Sequence, residues 1–235
     1  MTDRLRGLWN FDDLDGTEQR LHAQLDQETT DGGRAEVLTQ LARVQGLKEQ
    51  FDQGEQLIAM AQSLANNSAM ARIRIDLERG RLLRSRGDAV AAMPLFEAAF
   101  NAAREANEQF IALDAAHMCA IAAPDRESRR AWTQRGIDMA QASPDRNVSY
   151  WLGPLYNNLG VDHAEAGEHD AALDAFKRAL EVGAARPRPR RPSEGGPALG
   201  REGQVDTGLV AGPPQVQMPA AWHRNVDDRR IDLPG

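Results

Sequence analysis

The sequence predicts an all-α solenoid, a stack of antiparallel helix hairpins, followed by a disordered C-terminal tail. The main observation is an internal repeat, because five small or aromatic residues recur in one register 80 positions later. They are Gly80, Gly87, Ala92, Phe96 and Ala99, which align with Gly160, Gly167, Ala172, Phe176 and Ala179. One repeat cannot bury its apolar face alone and must stack on a neighbour. The second observation is a change of composition: residues 184–235 hold eight of the twelve prolines.

The spacing inside each copy predicts a helix–turn–helix unit. Gly80 lies within a first helix, and Gly87, seven residues on, supplies the turn. Ala92, Phe96 and Ala99 follow at i, i+4 and i+7, which is one face of a second helix. We therefore expect these three side chains and their counterparts to be buried. We also expect each helix glycine to contact the facing helix across the phenylalanine.

The last copy resembles the tetratricopeptide repeat (TPR). Its matching positions are Tyr156, Leu159, Gly160, His163, Gly167, Ala172, Phe176 and Ala179. His163 departs from the usual aromatic, and Ala184 stands where the family has a closing proline. The period of about 40 and the string at 155–160 are most similar to the longer kinesin-light-chain type. The resemblance implies a right-handed superhelix whose first helices line a concave peptide-binding groove.

The same template locates two weaker units and an N-terminal cap. The first unit carries Leu41, Ala42, Ile58 and Ala61, with Ala42 38 residues before Gly80. The third keeps register through Ala116 and Ala120, and its second helix is predicted over 126–142, with Trp132 and Gly136 one residue out of register. The predicted organisation is 1–33 for an N-terminal capping helix and segment, 34–183 for about four hairpins, and 184–235 for the tail.

The N-terminal region is predicted to shield the open end of the stack, since terminal elements of solenoids are atypical. Leu21 and Leu25 suggest a helix over about 16–29. Asp15 with Glu18 three residues on has the pattern of a capping box. Trp9 and Phe11 precede that cap, and we expect them to fold back as a terminal plug.

Two explanations of the tail remain open. Its Arg-Pro run over 186–192 cannot be helical, because proline removes a donor and restricts the residue before it. The tail is either a native disordered linker, whose Pro-Arg-Arg-Pro is a short polyproline ligand, or the product of a frame shift near Gly183. The shift is favoured by two lysines against 26 arginines, which indicate GC-rich codons. Either way, an uncapped end exposes apolar side chains and predicts weak self-association.

Composition predicts a cytoplasmic protein that binds neither nucleic acid nor membrane. Residues 1–183 carry 20 basic and 29 acidic side chains, which is no nucleic-acid footprint. One cysteine, Cys119, excludes an internal disulfide and fits a reducing compartment. The N-terminus lacks the apolar stretch of a signal peptide, and the longest apolar run, 111–123, is too short to span a membrane.

We expect no enzyme activity, no metal and no cofactor. The sequence contains no glycine-rich phosphate loop, GxSxG elbow or HExxH helix. His117-Met118-Cys119 is the one string with reactive side chains. A metal needs three or four convergent ligands, and the other histidines lack ligand spacing, so packed helix residues are the favoured interpretation.

The resemblance implies groove residues on the first helices. They are Thr39, Arg43, Arg74, Leu77, Arg81, His117, Asn157 and Val161. Arg74, Arg81 and Arg84 share one side of a helix, and arginine binds carboxylates by directed hydrogen bonds. The alternative is a solvated charged face on which Asp76 and Glu78 pair with the arginines.

The expected function is a non-catalytic adaptor or scaffold that binds a protein or peptide, with acidic or C-terminal segments favoured as ligands. The alternative is a regulatory sensor module, whose groove binds a short signalling peptide or small ligand and switches an effector. Fold alone does not decide between them.

Overall fold

The computed structural model describes residues 3–184. A 3₁₀ turn over Arg6–Leu8 precedes the helices. The helices are α1 (Leu14–Gln27), α2 (Asp31–Leu47), α3 (Phe51–Leu64), α4 (Ala69–Ser85), α5 (Ala89–Glu105), α6 (Gln109–Ala122), α7 (Arg126–Ala142), α8 (Arg146–Ser149), α9 (Leu152–Glu165) and α10 (His169–Ala184). No strand occurs among these residues, and the predicted all-α solenoid is confirmed. The predicted tail from residue 185 onward, with its disorder, lies outside the described residues.

The turns of the hairpins use left-handed backbone. Gly87 and Gly167 have φ values of +95° and +73°, a conformation that glycine adopts without steric cost. Glu49, between α2 and α3, and Asn107, between α5 and α6, take the same conformation at φ 63° and 58°. The turns α2–α3, α4–α5, α5–α6 and α9–α10 therefore each contain one left-handed residue, which is glycine at the two turns that the sequence pattern identified, whereas α1, α6 and α7 end on extended backbone.

The helix glycines lie directly under the phenylalanines of the facing helices. A Cβ atom added to Gly80 would lie 2.6 Å from the Phe96 ring, and one added to Gly160 would lie 2.6 Å from the Phe176 ring. Cβ atoms in proteins essentially never lie within 3.0 Å of a non-bonded heavy atom, so only glycine admits this packing. The predicted contact is present in both hairpins.

Burial of the repeat positions is complete in α5 and partial in α10. Ala92, Phe96 and Ala99 are fully buried, as is Ala42 in the first unit, and Ala172 is 4% exposed. Phe176 and Ala179 are only half-buried, so the expectation of full burial was wrong for these two. No described helix follows α10 to cover its outer side.

The predicted capping box of α1 was wrong, because the N-cap lies two residues before the predicted Asp15. The helix begins at Leu14, and its N-cap is Asp13, whose Oδ1 accepts a hydrogen bond from Gly16 N at 2.9 Å. Asp15 and Glu18 instead accept from Lys48 Nζ at 2.5 and 2.6 Å, which ties α1 to the end of α2. Several acidic residues precede the helix, and local pattern alone does not decide which one caps it.

Residues 29–33, Thr-Thr-Asp-Gly-Gly, open α2, and α1 ends before residue 29, to which we predicted that it extends. Thr30 caps α2 through a hydrogen bond from Gly33 N to its Oγ1 at 3.1 Å. Helix α1 stops earlier, at Gln27. A second unpredicted feature is the short α8 after α7. It buries Val148 and leads into Trp151, whose ring lies 5.6 Å from that of Phe110.

Candidate peptide-binding site

Helices α2, α4 and α6 are each the first helix of a hairpin. The surface that they form together, which includes Arg43, Glu78 and Asp114, is called here the inner face. Positions 38 residues apart on α2 and α4 meet across it. Glu36 Oε2 lies 3.3 Å from Arg74 Nε, and Gln40 Nε2 donates to Glu78 Oε1 at 3.4 Å. Equivalent positions of stacked repeats are neighbours, so the repeat itself places these polar pairs side by side.

A second row of charges continues toward α6. Arg81 Nη1 donates to Glu78 Oε1 at 2.6 Å, and Arg81 Nη2 donates to Asp114 on α6. Arg43 Nη1 lies 4.0 Å from the same Glu78 oxygen. Burial alone would raise the pKa of the Asp114 carboxyl, but Arg81 and Arg43 lower it below its usual range. Asp114 is therefore ionised, and each carboxylate of this row lies beside an arginine, as buried charges require.

His117 lies at the end of this row and is neutral. Burial lowers its pKa, the Asp114 carboxylate opposes this, and the cations Arg81, Arg84 and Arg43 add to it, so that the pKa is about 3. Asn158 Nδ2 lies 3.0 Å from His117 Nδ1, which suits a neutral ring accepting an amide proton. A neutral, 2% exposed imidazole offers a ligand neither charge nor open surface at the groove position that we predicted for His117.

Cys119 is fully buried, and burial raises the pKa of its thiol. Such a thiol is a poor nucleophile. The part of the chain described here holds no group of three or more His, Cys, Asp or Glu side chains that could bind a metal.

The predicted groove residues are less open than we expected. Thr39, Arg74, Leu77 and His117 are buried, Arg43, Arg81 and Asn157 are half-buried, and Val161 is exposed. Glu78 pairs with Arg81, as in the alternative of a solvated charged face, but Glu78 is buried and the pair is therefore not on a solvated face. The expectation that Arg74 lies open to a ligand was wrong, since the N-terminal segment, residues 3–11, covers it.

The N-terminal segment lies on the inner face. The Asp3 carboxylate accepts a hydrogen bond from Arg74 Nη2. Leu5 is 1% exposed and belongs to the core formed with α1 to α4. Arg4 pairs with Glu36 Oε2 at 3.2 Å. The segment thus places a carboxylate and an apolar side chain where we predicted an external peptide.

The segment also contacts aromatic residues of the third hairpin and of the region after α8. The Arg6 guanidinium lies 5.0 Å from the ring centroid of Phe110 on α6 and 4.5 Å from that of Tyr150. Trp9 Nε1 donates to Gln40 Oε1 at 3.0 Å. We predicted a plug at the open end of the stack. The segment instead crosses the inner face of three hairpins.

Helix α1 binds the C-terminal end of the segment through hydrogen bonds. Asn10 N donates to Thr17 Oγ1 and Thr17 Oγ1 donates to Asn10 O, both at 2.9 Å. Arg20 Nε donates to Leu8 O at 2.9 Å. Sequence reasoning singled out Trp9 but missed Asp3, Leu5 and Arg6, because no periodic pattern marks a non-helical segment.

A polar cleft of about 730 Å³ opens beside Arg4, at the N-terminal ends of α2 and α4. Thr30 and Ser68 cap these two helices with their side chains. Arg4 is ion-paired with Glu28 at 2.6 Å as well as with Glu36. The charge of Arg4 is therefore already balanced by two carboxylates, and Arg4 does not make the cleft an anion site.

A second charge cluster fixes the turn between α9 and α10. His163, at the position where the TPR has an aromatic ring, lies 2.5 Å from Glu168 through its Nδ1. Hydrogen bonds from His163, Arg126 and Arg130 lower the pKa of Glu168 to about 2. Arg130 Nε also donates to buried Asp162 at 2.5 Å. Ion pairs here take the place of aromatic packing.

Comparison with known proteins gives one informative likeness. No protein-family model matches the chain, and no curated protein matches it. The crystal structure of BtubC (BKLC) from P. vanneervenii is similar in fold, with a TM-score of 0.56 and 14% sequence identity. The match covers 81% of this chain and 82% of that one. At this identity the likeness shows the fold alone, and that fold is a TPR-like helical repeat.

No helix over residues 3–184 is long and apolar enough to cross a membrane.

Proposed function

We propose that this chain is a non-catalytic protein- or peptide-binding adaptor or scaffold of the cytoplasm, with repeats closest to the longer kinesin-light-chain type. The observation that carries the proposal is the segment 3–11 on the inner face. A stretch of chain outside the stacked helices, with one 3₁₀ turn over Arg6–Leu8, is held there by directed side-chain contacts, among them those of Arg74 and Gln40. A groove that binds one short segment through side-chain sites can bind another of similar chemistry.

The test is affinity capture with the full chain beside two variants. Arg43→Ala/Asn157→Ala changes two half-buried predicted groove residues, and Arg79→Ala is the matched control. Arg79 is on α4 but pairs with Glu55 of α3 at 3.6 Å, away from the inner face. Partners of the inner face are retained by the wild type and by the control and lost from the double variant. Equal capture by all three would contradict the proposal.

Arg74 and Arg81 are unsuitable for this test. Removing either leaves a buried carboxylate without its partner, which costs about 3–5 kcal/mol in buried pairs. A loss of binding in such variants would report instability and not recognition.

The second candidate is the regulatory sensor module. The occupied inner face favours it, because a ligand that must displace a segment changes the state of the protein when it binds. An effector that binds only with segment 3–11 displaced would distinguish this candidate from a passive scaffold.

A further inference from the structure

The contacts of segment 3–11 define a short pattern of side chains. An acidic residue, Asp3, binds Arg74, and an apolar residue two positions on, Leu5, is buried. A basic residue at the next position, Arg6, lies against two aromatic rings. An indole three positions further, Trp9, donates to Gln40. The order is acidic, apolar, basic and aromatic at relative positions 0, 2, 3 and 6.

We propose that segment 3–11 is a built-in ligand of the inner face, and that it is displaced by partner peptides with the pattern Asp/Glu-x-Leu-Arg. The inference rests on the proposed function and adds to it the class of ligand and the competitor. The external ligand is a protein segment of this chemistry.

The segment is held by features that another peptide can reproduce. Its backbone hydrogen bonds are local turns, such as Leu8 N to Leu5 O at 3.1 Å, and bonds to the α1 side chains Thr17 and Arg20. Its anchors on the inner face are side chains. Among residues 3–11 only Leu5 is fully buried, while Phe11 is 44% exposed. Displacement therefore uncovers the Leu5 site and the part of the same core that half-buried Leu8 and Trp9 cover, and leaves the helix-to-helix packing in place.

Charge complementarity sets the order of the pattern. Arg74 has two acidic neighbours, Asp3 and Glu36, and the segment provides only the first of them. Phe110 and Tyr150 present ring faces that attract a guanidinium. A peptide with acidic residues alone satisfies Arg74 but not these rings, so the mixed pattern binds more tightly than a purely acidic one.

The experiment uses a fluorescent peptide of residues 1–12 and measures its binding to the full chain by anisotropy. The triple variant Asp3→Asn/Arg6→Ala/Trp9→Ala weakens the built-in copy but keeps Leu5. Loss of the competing segment is expected to raise peptide affinity about tenfold or more, since a tethered ligand acts at high effective concentration. The same peptide with Asn in place of Asp3 should bind at least about tenfold more weakly. Adding Arg79→Ala to the triple variant should leave the affinity unchanged.

Hydrogen exchange on the wild-type protein tests the same claim without any variant. Excess unlabelled peptide should accelerate exchange of the amides of Leu8 and Trp9, and unchanged exchange would overturn the inference even where the triple variant does not fold. Equal peptide affinity of the wild type and a folded triple variant would also overturn it. If the wild type is a dimer that dissociates in the triple variant, the segment lies on a second copy of the chain, and the proposal of an intramolecular ligand is wrong.

Failure of this inference differs from failure of the proposed function. If captured partners bind wild type and triple variant equally, and lose binding with Arg43→Ala/Asn157→Ala, the inner face binds peptides but the segment does not compete. If neither the 1–12 peptide nor any captured partner binds the folded triple variant, both proposals are wrong.

Discussion

Single glycines decide how closely the paired helices approach. Helix α9 offers a matched test, because it carries two glycines in different surroundings. Gly160 lies under the Phe176 ring, whereas Gly153 has neighbours only at ordinary van der Waals distance. A Cβ on Gly160 would lie 2.6 Å from Phe176, whereas the nearest atom to a Cβ on Gly153 is 3.7 Å away.

We expect Gly160→Ala to lower the free energy of unfolding by about 1–3 kcal/mol, because it overpacks the hairpin, and Gly160→Leu to cost more. Gly153→Ala should be neutral or stabilising, since alanine has the higher helix propensity. Urea denaturation of the three variants measures this. Equal stability of Gly160→Ala and wild type would contradict the packing described here.

One buried histidine gives the protein a pH dependence with a definite sign. The pKa of His117 is about 3 in the folded state against an ordinary 6.5. Between these values the unfolded chain binds more protons, so stability is full above pH 6.5 and is lost as the pH falls. The slope approaches about 1.4 kcal/mol per pH unit. Asp114, whose pKa is also lowered, adds loss of the same sign at lower pH.

His117→Gln should remove most of the slope between pH 6.5 and pH 4.5, because glutamine does not titrate. Exposed His22→Gln is the control and should keep the wild-type slope. Chemical denaturation at a series of pH values is the measurement. A His117→Gln protein that loses stability with acid as steeply as the wild type would show that other groups dominate.

Charge partners could not be predicted at the residue scale. The arginine side of α4 is visible in the sequence, because helical period places Arg74 and Arg81 together. Their partners are not visible, since Asp3 lies 71 residues from Arg74 and Asp114 lies 33 residues from Arg81. The sequence placed Arg74 and Arg81 on one side of α4, but it could not show that a segment of the chain itself lies against Arg74.

At the scale of elements, hairpins were predictable where a small residue faces an aromatic one. That pattern gave α4–α5 and α9–α10. It could not give α8, because four residues make about one turn, in which no apolar position recurs. It also could not fix the start of α1, where the choice of cap among neighbouring acidic residues depends on tertiary contacts such as that of Lys48.

Caps that the structure does show should contribute measurably to helix stability. Asp88 Oδ1 accepts from Ala91 N at 2.9 Å at the start of α5, whereas Gln50 makes no side-chain hydrogen bond at the start of α3. Asp88→Ala should lower the free energy of unfolding by about 1 kcal/mol, and Gln50→Ala should change it by only a few tenths. Thermal denaturation of both single variants compares them, and equal effects would contradict the capping assignment.

At the scale of the molecule, the described stack ends on a helix with an uncovered apolar side. Leu173 and Leu180 on α10 are each 53% exposed. They lie seven residues apart, so both are on one face. No helix beyond α10 occurs among the described residues, and the half-burial of Phe176 has the same origin.

This face predicts weak self-association of the full chain. Two half-exposed leucines from each of two copies contribute at most ~4 kcal/mol on burial, which corresponds to a roughly millimolar dissociation constant. Leu173→Gln/Leu180→Gln should abolish the association, because polar side chains remove the apolar area. Sedimentation velocity at increasing concentration measures it. Val90→Gln/Met60→Gln is the matched control, since these two apolar side chains are exposed on other helices. A wild-type chain that remains monomeric at the highest concentration, or a control pair with the same effect as the α10 pair, would show that this face does not mediate association.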